Sequence, residues 1–132
     1  MLKKFTIETN HRDEMNEITR IVGKLVEESD VKEGTAIIYC PHTTAGITIN
    51  ENADPDVKRD MIRRFDETYP WKHTLDRHEE GNTAAHMKAS TIGASCHVII
   101  TNRKLLLGRW QGIYFCEFDG PRTRNFYVKI TG

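Results

Sequence analysis

The stretch SCHVIITNRKLLLGRWQGIYFCEFDGPRTRNFYVKIT, residues 95–131, decides the fold class. It contains four runs rich in β-branched and aromatic residues with turn signals between them, which is the pattern of successive β-strands. The turn signals are Asn102-Arg103 and Asp119-Gly120-Pro121. The predicted strands are Cys96–Thr101, Lys104–Leu107, Trp110–Phe118 and Asn125–Thr131.

Helices are predicted before this stretch, without the regular alternation of a parallel βαβ protein. One apolar stripe predicts a helix over Asp13–Ser29. Asp54 and Pro55 are a strong helix start, because Asp is a favoured cap and Pro suits the first helical position. The other predicted elements are strands Leu2–Thr9, Thr35–Cys40 and Gly46–Asn50, and helices Pro55–Tyr69 and Thr83–Ile92. The sequence therefore predicts an α+β fold, as a single domain over residues 1–132, with a mixed or mainly antiparallel sheet and two to three helices.

Composition excludes several classes of protein. The chain of 132 residues carries 19 basic and 19 acidic residues, so it lacks the basic surplus of a generic nucleic-acid binder. No apolar run approaches the roughly 20 residues that cross a bilayer. Three cysteines without a paired spacing, in a chain with no visible secretory signal, predict reduced thiols and a cytoplasmic protein. We expect neither a nucleic acid nor a membrane as partner.

Three of the six histidines fall where different elements can converge. His42 follows Pro41 at the break between two strands, His78 lies in the long loop 71–81, and His86 lies on the short helix after Asn82. Imidazoles favour Zn over Mg, so a divalent metal held by these three histidines is one interpretation. Surface or hydrogen-bonded histidines are the other, because the spacing matches no standard metal motif. Acids that could complete such a site are Glu51, Asp54, Asp76, Glu79 and Glu117.

A second group of residues is suited to an anion. Arg122 and Arg124 are two residues apart, so on a strand they would share one face, and guanidinium groups bind phosphate or carboxylate well. Thr43 and Thr44 add hydroxyls next to His42. A solvated face paired with local acids explains the same arginines. The other residues singled out are Lys104 and Arg109 as further cations, and Trp110 and Gln111 as ligand or subunit contacts.

Four motifs together resemble one known family. They are HTTAGITINEN at 42–52 with DPD at 54–56, GN at 81–82 with AHMKAS at 85–90, WQGI at 110–113, and Glu117 followed by GPR at 120–122 and Arg124. In order and spacing these resemble the YjbQ-like family, whose members are often labelled secondary thiamine-phosphate synthase enzyme. The resemblance covers nearly the whole chain.

The resemblance implies a small α+β cytosolic homotrimer that acts on a small phosphorylated molecule. The implied reaction is a thiamine-phosphate synthase-type transfer, which joins a pyrimidine pyrophosphate to thiazole phosphate. The alternatives are a metal-dependent hydrolase or transferase on a small phosphorylated substrate, and a non-enzymatic trimeric protein that binds a metal or ligand. We predict three sets of site residues: catalytic His42, Glu51 and Glu117; ligand-binding Thr43, Thr44, Asn82, Gln111, Arg122 and Arg124; and metal-ligating His42, His78 and His86.

Overall fold

Two antiparallel sheets and three helices make up the computed structural model, which describes all of residues 1–132. The strands are β1 (Leu2–Glu8), β2 (Glu14–Glu17), β3 (Gly34–Tyr39), β4 (Ala45–Glu51), β5 (Ser95–Thr101), β6 (Lys104–Leu105), β7 (Gln111–Glu117) and β8 (Thr123–Thr131). The helices are α1 (Thr19–Ser29), α2 (Pro55–Thr68) and α3 (Thr83–Ile92). The predicted α+β fold is confirmed.

The main core lies between the two sheets. One sheet has the strand order β1-β8-β3-β5-β6 and the other the order β2-β7-β4, and every pair is antiparallel. One cluster of 16 buried apolar residues joins both sheets to α1. Ile38 of β3, Phe115 of β7 and Val22 of α1 are members of it. Along β3, buried residues such as Ile38 alternate with residues that face outward, as expected for a sheet with one buried face.

Strand β7 is buried on both faces. Phe115 faces the main core, whereas Tyr114 and Cys116 face a second cluster formed with α3. Ala85 and Ala89 are the α3 members, and partly buried side chains of α2 pack against the same cluster. Burial of both faces explains the continuous apolar run in the sequence of β7, which is usual for strands covered on two sides.

Helix α2 follows the predicted cap closely. Asp54 accepts a hydrogen bond from the Asp56 amide at 2.9 Å, and Pro55 occupies the first helical position. No helix in the structure has the length and apolar character needed to cross a membrane. The three cysteines are free thiols, as predicted.

The prediction of a helix beginning at Asp13 is wrong. Residues Glu14–Glu17 form β2, which pairs with β7, and α1 starts only at Thr19. The strand places Met15 in the second core cluster and supplies backbone hydrogen bonds to β7. Tertiary pairing outweighs a weak local helix preference here. Strand β6 is also shorter than predicted, because it pairs with β5 through only two residues.

The chain crosses between the two sheets three times at the same end of the molecule. Residues 9–13 connect β1 to β2 there. Residues 40–44 connect β3 to β4, and residues 118–122 connect β7 to β8. The register keeps these connections together, since Ala45 pairs with Glu117 and Glu8 pairs with Thr123. The beginning of α3 and the loop before it contribute to the same pocket at this end.

Candidate active site

A polar pocket of about 340 Å³ lies at the end where the chain changes sheets. It draws residues from the β3–β4 and β7–β8 connections, from the beginning of β8, from the loop before α3, and from α3 itself. Apart from Pro41, every lining residue has a polar or charged side chain: His42, Thr43, Thr44, His78, Glu80, Asn82, His86, Asp119, Arg122 and Arg124. The three histidines predicted to converge therefore line one pocket.

His42 is held in place by the neighbouring strand. Its Nε2 accepts a hydrogen bond from the backbone N–H of Asn125 in β8, at 3.0 Å. The ring hydrogen is therefore on Nδ1, because a neutral imidazole has one donor and one acceptor nitrogen. Partial burial and the positive charge of Arg124 lower the pKa of His42. Near neutral pH the residue is an uncharged hydrogen-bond donor with a fixed tautomer.

His78 and His86 are neighbours across the pocket wall. Their ring centroids are 5.4 Å apart and the rings are nearly perpendicular, at 71°. Neither imidazole makes a hydrogen bond or ion pair with another group of the chain. These two rings can hydrogen-bond to a ligand, or bind a metal, with no internal partner to displace.

Arg124 and Glu117 form a buried ion pair beneath the pocket. Arg124 Nε donates to Glu117 Oε1 at 2.8 Å, and a second nitrogen of the same guanidinium donates to Oε2. Glu117 also accepts from the Thr9 hydroxyl and the Asp119 amide, both at 2.9 Å. Arg124 donates to the Thr44 hydroxyl at 2.8 Å. Glu117 does not line the pocket, and its oxygens are already occupied.

Arg122 has a different environment from Arg124 although both line the pocket. It lies just before β8, its side chain is half-exposed, and it donates to the backbone carbonyl and the carboxylate of Asp119 at 2.7 and 2.8 Å. Asn82 donates to the same carboxylate at 2.8 Å. Asn82 precedes α3, but its side chain accepts no cap hydrogen bond from the helix. Its Oδ1 accepts no hydrogen bond from the chain.

Comparisons with known proteins agree on one family. The chain matches the family described as UPF0047 protein YjbQ-like over residues 3–132. The protein belongs to the YjbQ/UPF0047 family. The UPF0047 protein YugU of Bacillus subtilis is 69% identical over 132 residues, covering 100% of both chains. A UPF0047 protein of Methanocaldococcus jannaschii is 55% identical, covering 100% of this chain and 95% of its relative.

Solved structures of the family have the same fold. An uncharacterised YjbQ/UPF0047 protein of Clostridium acetobutylicum superposes with a TM-score of 0.96 at 53% identity, covering 98% of this chain and 99% of the other. A protein of unknown function from Sulfolobus solfataricus superposes with a TM-score of 0.95 at 30% identity, covering 100% and 96%. The YjbQ-like fold is therefore shown over the whole chain.

A three-histidine metal site is not preformed in this YjbQ-family chain. No group of three or more His, Cys, Asp or Glu residues is arranged to share one ion. His42 could not contribute its Nε2 lone pair without releasing the amide of Asn125. Of the three, His78 and His86 combine proximity with ring nitrogens that make no hydrogen bond. A divalent metal held by His42, His78 and His86 stays a prediction.

Two predicted site residues lie at the other end of the domain. Glu51 ends β4 and pairs with Gln111 at the beginning of β7. Strand β4 has seven residues, so at about 3.3 Å per residue Glu51 lies roughly 20 Å along the strand from Ala45. Glu51 accepts from the Ala53 amide, and Gln111 accepts from the Gly108 amide. Within one chain neither residue contributes to the pocket.

Sequence reasoning missed two acidic residues of the pocket. Glu80 lies in the loop before α3, and Asp119 lies in the β7–β8 connection. In the sequence, Asp119 stands out only as part of the turn signal Asp119-Gly120-Pro121. Its neighbour Arg122, separated by Gly120 and Pro121, was a signal that a carboxylate and a guanidinium could meet across that turn.

Proposed function

We propose that the protein is an enzyme that acts on a small phosphorylated molecule in the histidine-lined pocket. The observation that carries this proposal is the convergence of three imidazoles, a half-exposed guanidinium and a threonine hydroxyl on one polar pocket. Phosphate is recognised by guanidinium forks and by hydrogen-bond donors of this kind. The resemblance to proteins labelled thiamine-phosphate synthase points to the same class of ligand.

Each side chain has a role that follows from its environment. Arg122 and the Thr43 hydroxyl would bind phosphate oxygens, because both are exposed at the pocket. His42 would donate from Nδ1, since Nε2 is occupied by Asn125. Arg124 would act indirectly, because its charge is already balanced by Glu117. His78 and His86 would offer hydrogen bonds to the ligand, because their ring nitrogens have no internal partner.

The reaction we propose first is the transfer that joins a pyrimidine pyrophosphate to thiazole phosphate. The bond between the pyrimidine methylene carbon and the pyrophosphate oxygen breaks, and the thiazole nitrogen donates its electron pair to that carbon. Pyrophosphate leaves with the bonding electrons. The protein would position the two molecules and stabilise charge on the departing oxygens, for which the donors of Arg122, Thr43 and His42 are suited.

The test is to measure thiamine phosphate and released pyrophosphate with both substrates present. We expect turnover by the wild type, a loss of tenfold or more in Arg122→Ala and in a His78→Ala/His86→Ala double variant, and unchanged turnover in His11→Ala. His11 is the matched control because its side chain is 77% exposed and does not line the pocket. Substrate binding without turnover would favour a non-enzymatic binding protein. Turnover that ignores the pocket variants would contradict the proposal.

Metal-assisted hydrolysis or transfer on a small phosphorylated substrate is the second candidate. It is supported by the neighbouring, unpartnered imidazoles of His78 and His86. These two side chains would hold the ion, of which Zn is favoured over Mg by nitrogen ligands, and a bound metal would supply Lewis acidity. Elemental analysis of protein prepared without a histidine tag tests it. Stoichiometric zinc that is lost in a His78→Ala/His86→Ala variant would support the candidate.

We also propose a homotrimer in the cytoplasm. The outer face of the five-stranded sheet exposes Tyr39 by 46% and Ile99 by 59%, which is consistent with cover by another subunit. Three free thiols suit a reducing compartment. Light scattering should give a mass of three times 15.2 kDa. A monomer at micromolar concentration would contradict the trimer.

A further inference from the structure

A second cavity adjoins the histidine pocket and shares part of its wall. It has a volume of about 420 Å³, and His42, Thr43 and His86 line both cavities. Its other lining residues are small: Ala45, Ala89, Ser90, Gly93 and Ala94. We call this group the small-residue slot. The two cavities together are of the size that small ligands occupy in proteins.

The floor of the small-residue slot is held rigidly. The carbonyl of Gly93 accepts from the Ile47 amide at 3.0 Å, and the carbonyl of Ala94 accepts from the Cys40 amide at 2.8 Å. Gly46 packs so closely that a Cβ placed there would lie 2.5 Å from the Gly93 carbonyl oxygen. The turn between α3 and β5 is therefore fastened to β4 and to the end of β3. A cavity with such a floor is preformed and does not need a ligand to open it.

The two cavities differ in chemistry. The histidine pocket carries Arg122, Glu80 and Asp119, whereas the small-residue slot contains no Lys, Arg, Asp or Glu. Three alanine methyl groups and a glycine backbone leave room for a thin apolar group, and the bordering imidazoles can pack against an aromatic face. An anionic group would be poorly solvated in the slot, whereas the adjoining pocket offers it Arg122.

One side chain of the histidine pocket, Asn82, leaves a buried acceptor unsatisfied. Asn82 is only 4% exposed and lines the histidine pocket, yet its Oδ1 accepts no hydrogen bond. The amide orientation is fixed, because Nδ2 donates to Asp119 at 2.8 Å. A buried polar atom without a partner is costly, so a donor from a bound molecule or water is expected there.

We propose that the small-residue slot binds the aromatic ring of a ligand whose phosphate occupies the histidine pocket. Ser90 and Ala94 then determine which rings fit, because both line the slot and are exposed, and a larger side chain at either position would fill the space. This inference rests on the proposed function, since it assumes that the histidine pocket holds the phosphate.

The test compares two probes, inorganic phosphate and phenyl phosphate, by calorimetric titration. Wild-type protein should bind phenyl phosphate at least tenfold more tightly than inorganic phosphate. Ser90→Phe and Ala94→Phe should each remove that tenfold preference while leaving the affinity for inorganic phosphate within about twofold. Met87→Phe is the matched control, because Met87 is exposed on the same helix but does not line the slot. It should retain the preference.

The outcomes separate the two proposals. If the wild type binds neither probe, the proposed phosphate site fails and this inference fails with it. If the wild type binds inorganic phosphate with no preference for phenyl phosphate, the slot proposal is overturned while the phosphate site stands. An equal loss of affinity for both probes in the Phe variants would likewise overturn the slot proposal. The wild-type comparison remains decisive if a Phe variant does not fold, and Ser90→Val is a smaller substitution for the same purpose.

Discussion

Arg122 and Arg124 are only two residues apart, but they have different roles. We propose that Arg122 binds the ligand, whereas Arg124 supports the structure. Arg124 is buried and shares two hydrogen bonds with Glu117, whose side chain is fully buried. Arg122 is half-exposed and pairs with Asp119 at the surface of the pocket. Loss of one partner lowers the free energy of unfolding much more for a buried ion pair than for an exposed one. The two arginines can therefore be compared directly.

Replacing Arg124 by Ala should lower the free energy of unfolding by about 3–5 kcal/mol, because it leaves the Glu117 carboxylate buried without its cation. Arg122→Ala should cost at most about 1 kcal/mol, as is usual for an exposed pair. Urea denaturation of both variants measures the difference. Equal losses of stability would show that the buried pair is not the structural support inferred here.

His42 should contribute to the pH dependence of stability. Its pKa is lowered by burial and by the charge of Arg124, so the unfolded chain binds the proton more readily than the folded protein. Stability should therefore fall as pH drops below about 6.5, the ordinary value for histidine, until the folded imidazole also titrates. We expect His42→Gln to lose part of this fall, and the exposed control His97→Gln to keep it. Unfolding free energies between pH 8 and pH 5 measure both, and identical slopes would contradict the assignment.

At the scale of secondary structure, a buried charge network joins α3 and α2 to the β1–β2 connection. Lys88 of α3 is fully buried, and its Nζ lies 3.0 Å from Asp13 and 2.8 Å from Asp66. Arg12 binds the same two carboxylates and stacks on the ring of Trp71, with 4.6 Å to the centroid. Trp71 begins the loop that carries His78. The network therefore connects the core to the most irregular part of the site.

Lys88→Met should destabilise the protein by about 3 kcal/mol. This is the lower end of the range for breaking a buried pair, because Asp66 is partly exposed and Arg12 remains. Hydrogen exchange should also become faster across residues 71–82, since their anchor is weakened. Lys72→Met, at an exposed position in the loop, is the control and should change neither quantity. Unchanged exchange in the loop of Lys88→Met would contradict the coupling between network and loop.

Replacement by alanine should have opposite effects on stability at Gly23 and at Gly46. Gly23 lies inside α1, and an added Cβ would meet no atom within 4 Å, so Gly23→Ala should stabilise by roughly 0.5–1 kcal/mol through helix propensity. Gly46 lies against the Gly93 carbonyl, so Gly46→Ala should destabilise and disturb the floor of the small-residue slot. Thermal unfolding of the two variants gives the signs. A stabilised Gly46→Ala variant would contradict the close packing of β4 on the α3–β5 turn.

Most elements were predictable because their signals are local. The Asp54-Pro55 start of α2 and the β-rich run after Ser95 depend only on neighbouring residues. Strand β2 was not predictable, because Met15 becomes buried only when β7 and α3 are in place. The same reason applies to Lys88, whose charge looks solvent-exposed in sequence until two distant carboxylates surround it.

At the scale of the whole molecule, the sequence predicted which residues belong to the pocket better than what each one does there. His42, His78 and His86 do line one cavity, as their positions on three elements suggested. The sequence could not reveal that the Asn125 amide donates a hydrogen bond to His42 Nε2, because the two residues are 83 positions apart. Nor could motif membership show that Glu51 and Gln111 lie at the opposite end of β4 and β7.

The central claim is that the histidine-lined pocket binds a small phosphorylated molecule, and the six imidazoles can report on it directly. Side-chain NMR of the histidines during titration with inorganic pyrophosphate places three probes in the pocket, at His42, His78 and His86. The other three, His11, His73 and His97, lie outside it and serve as internal controls. We predict saturable shifts of the three pocket signals with one common affinity, reduced at least tenfold in Arg122→Ala, and no saturable shift of the control signals. Absent shifts, or equal shifts at all six histidines, would contradict the claim.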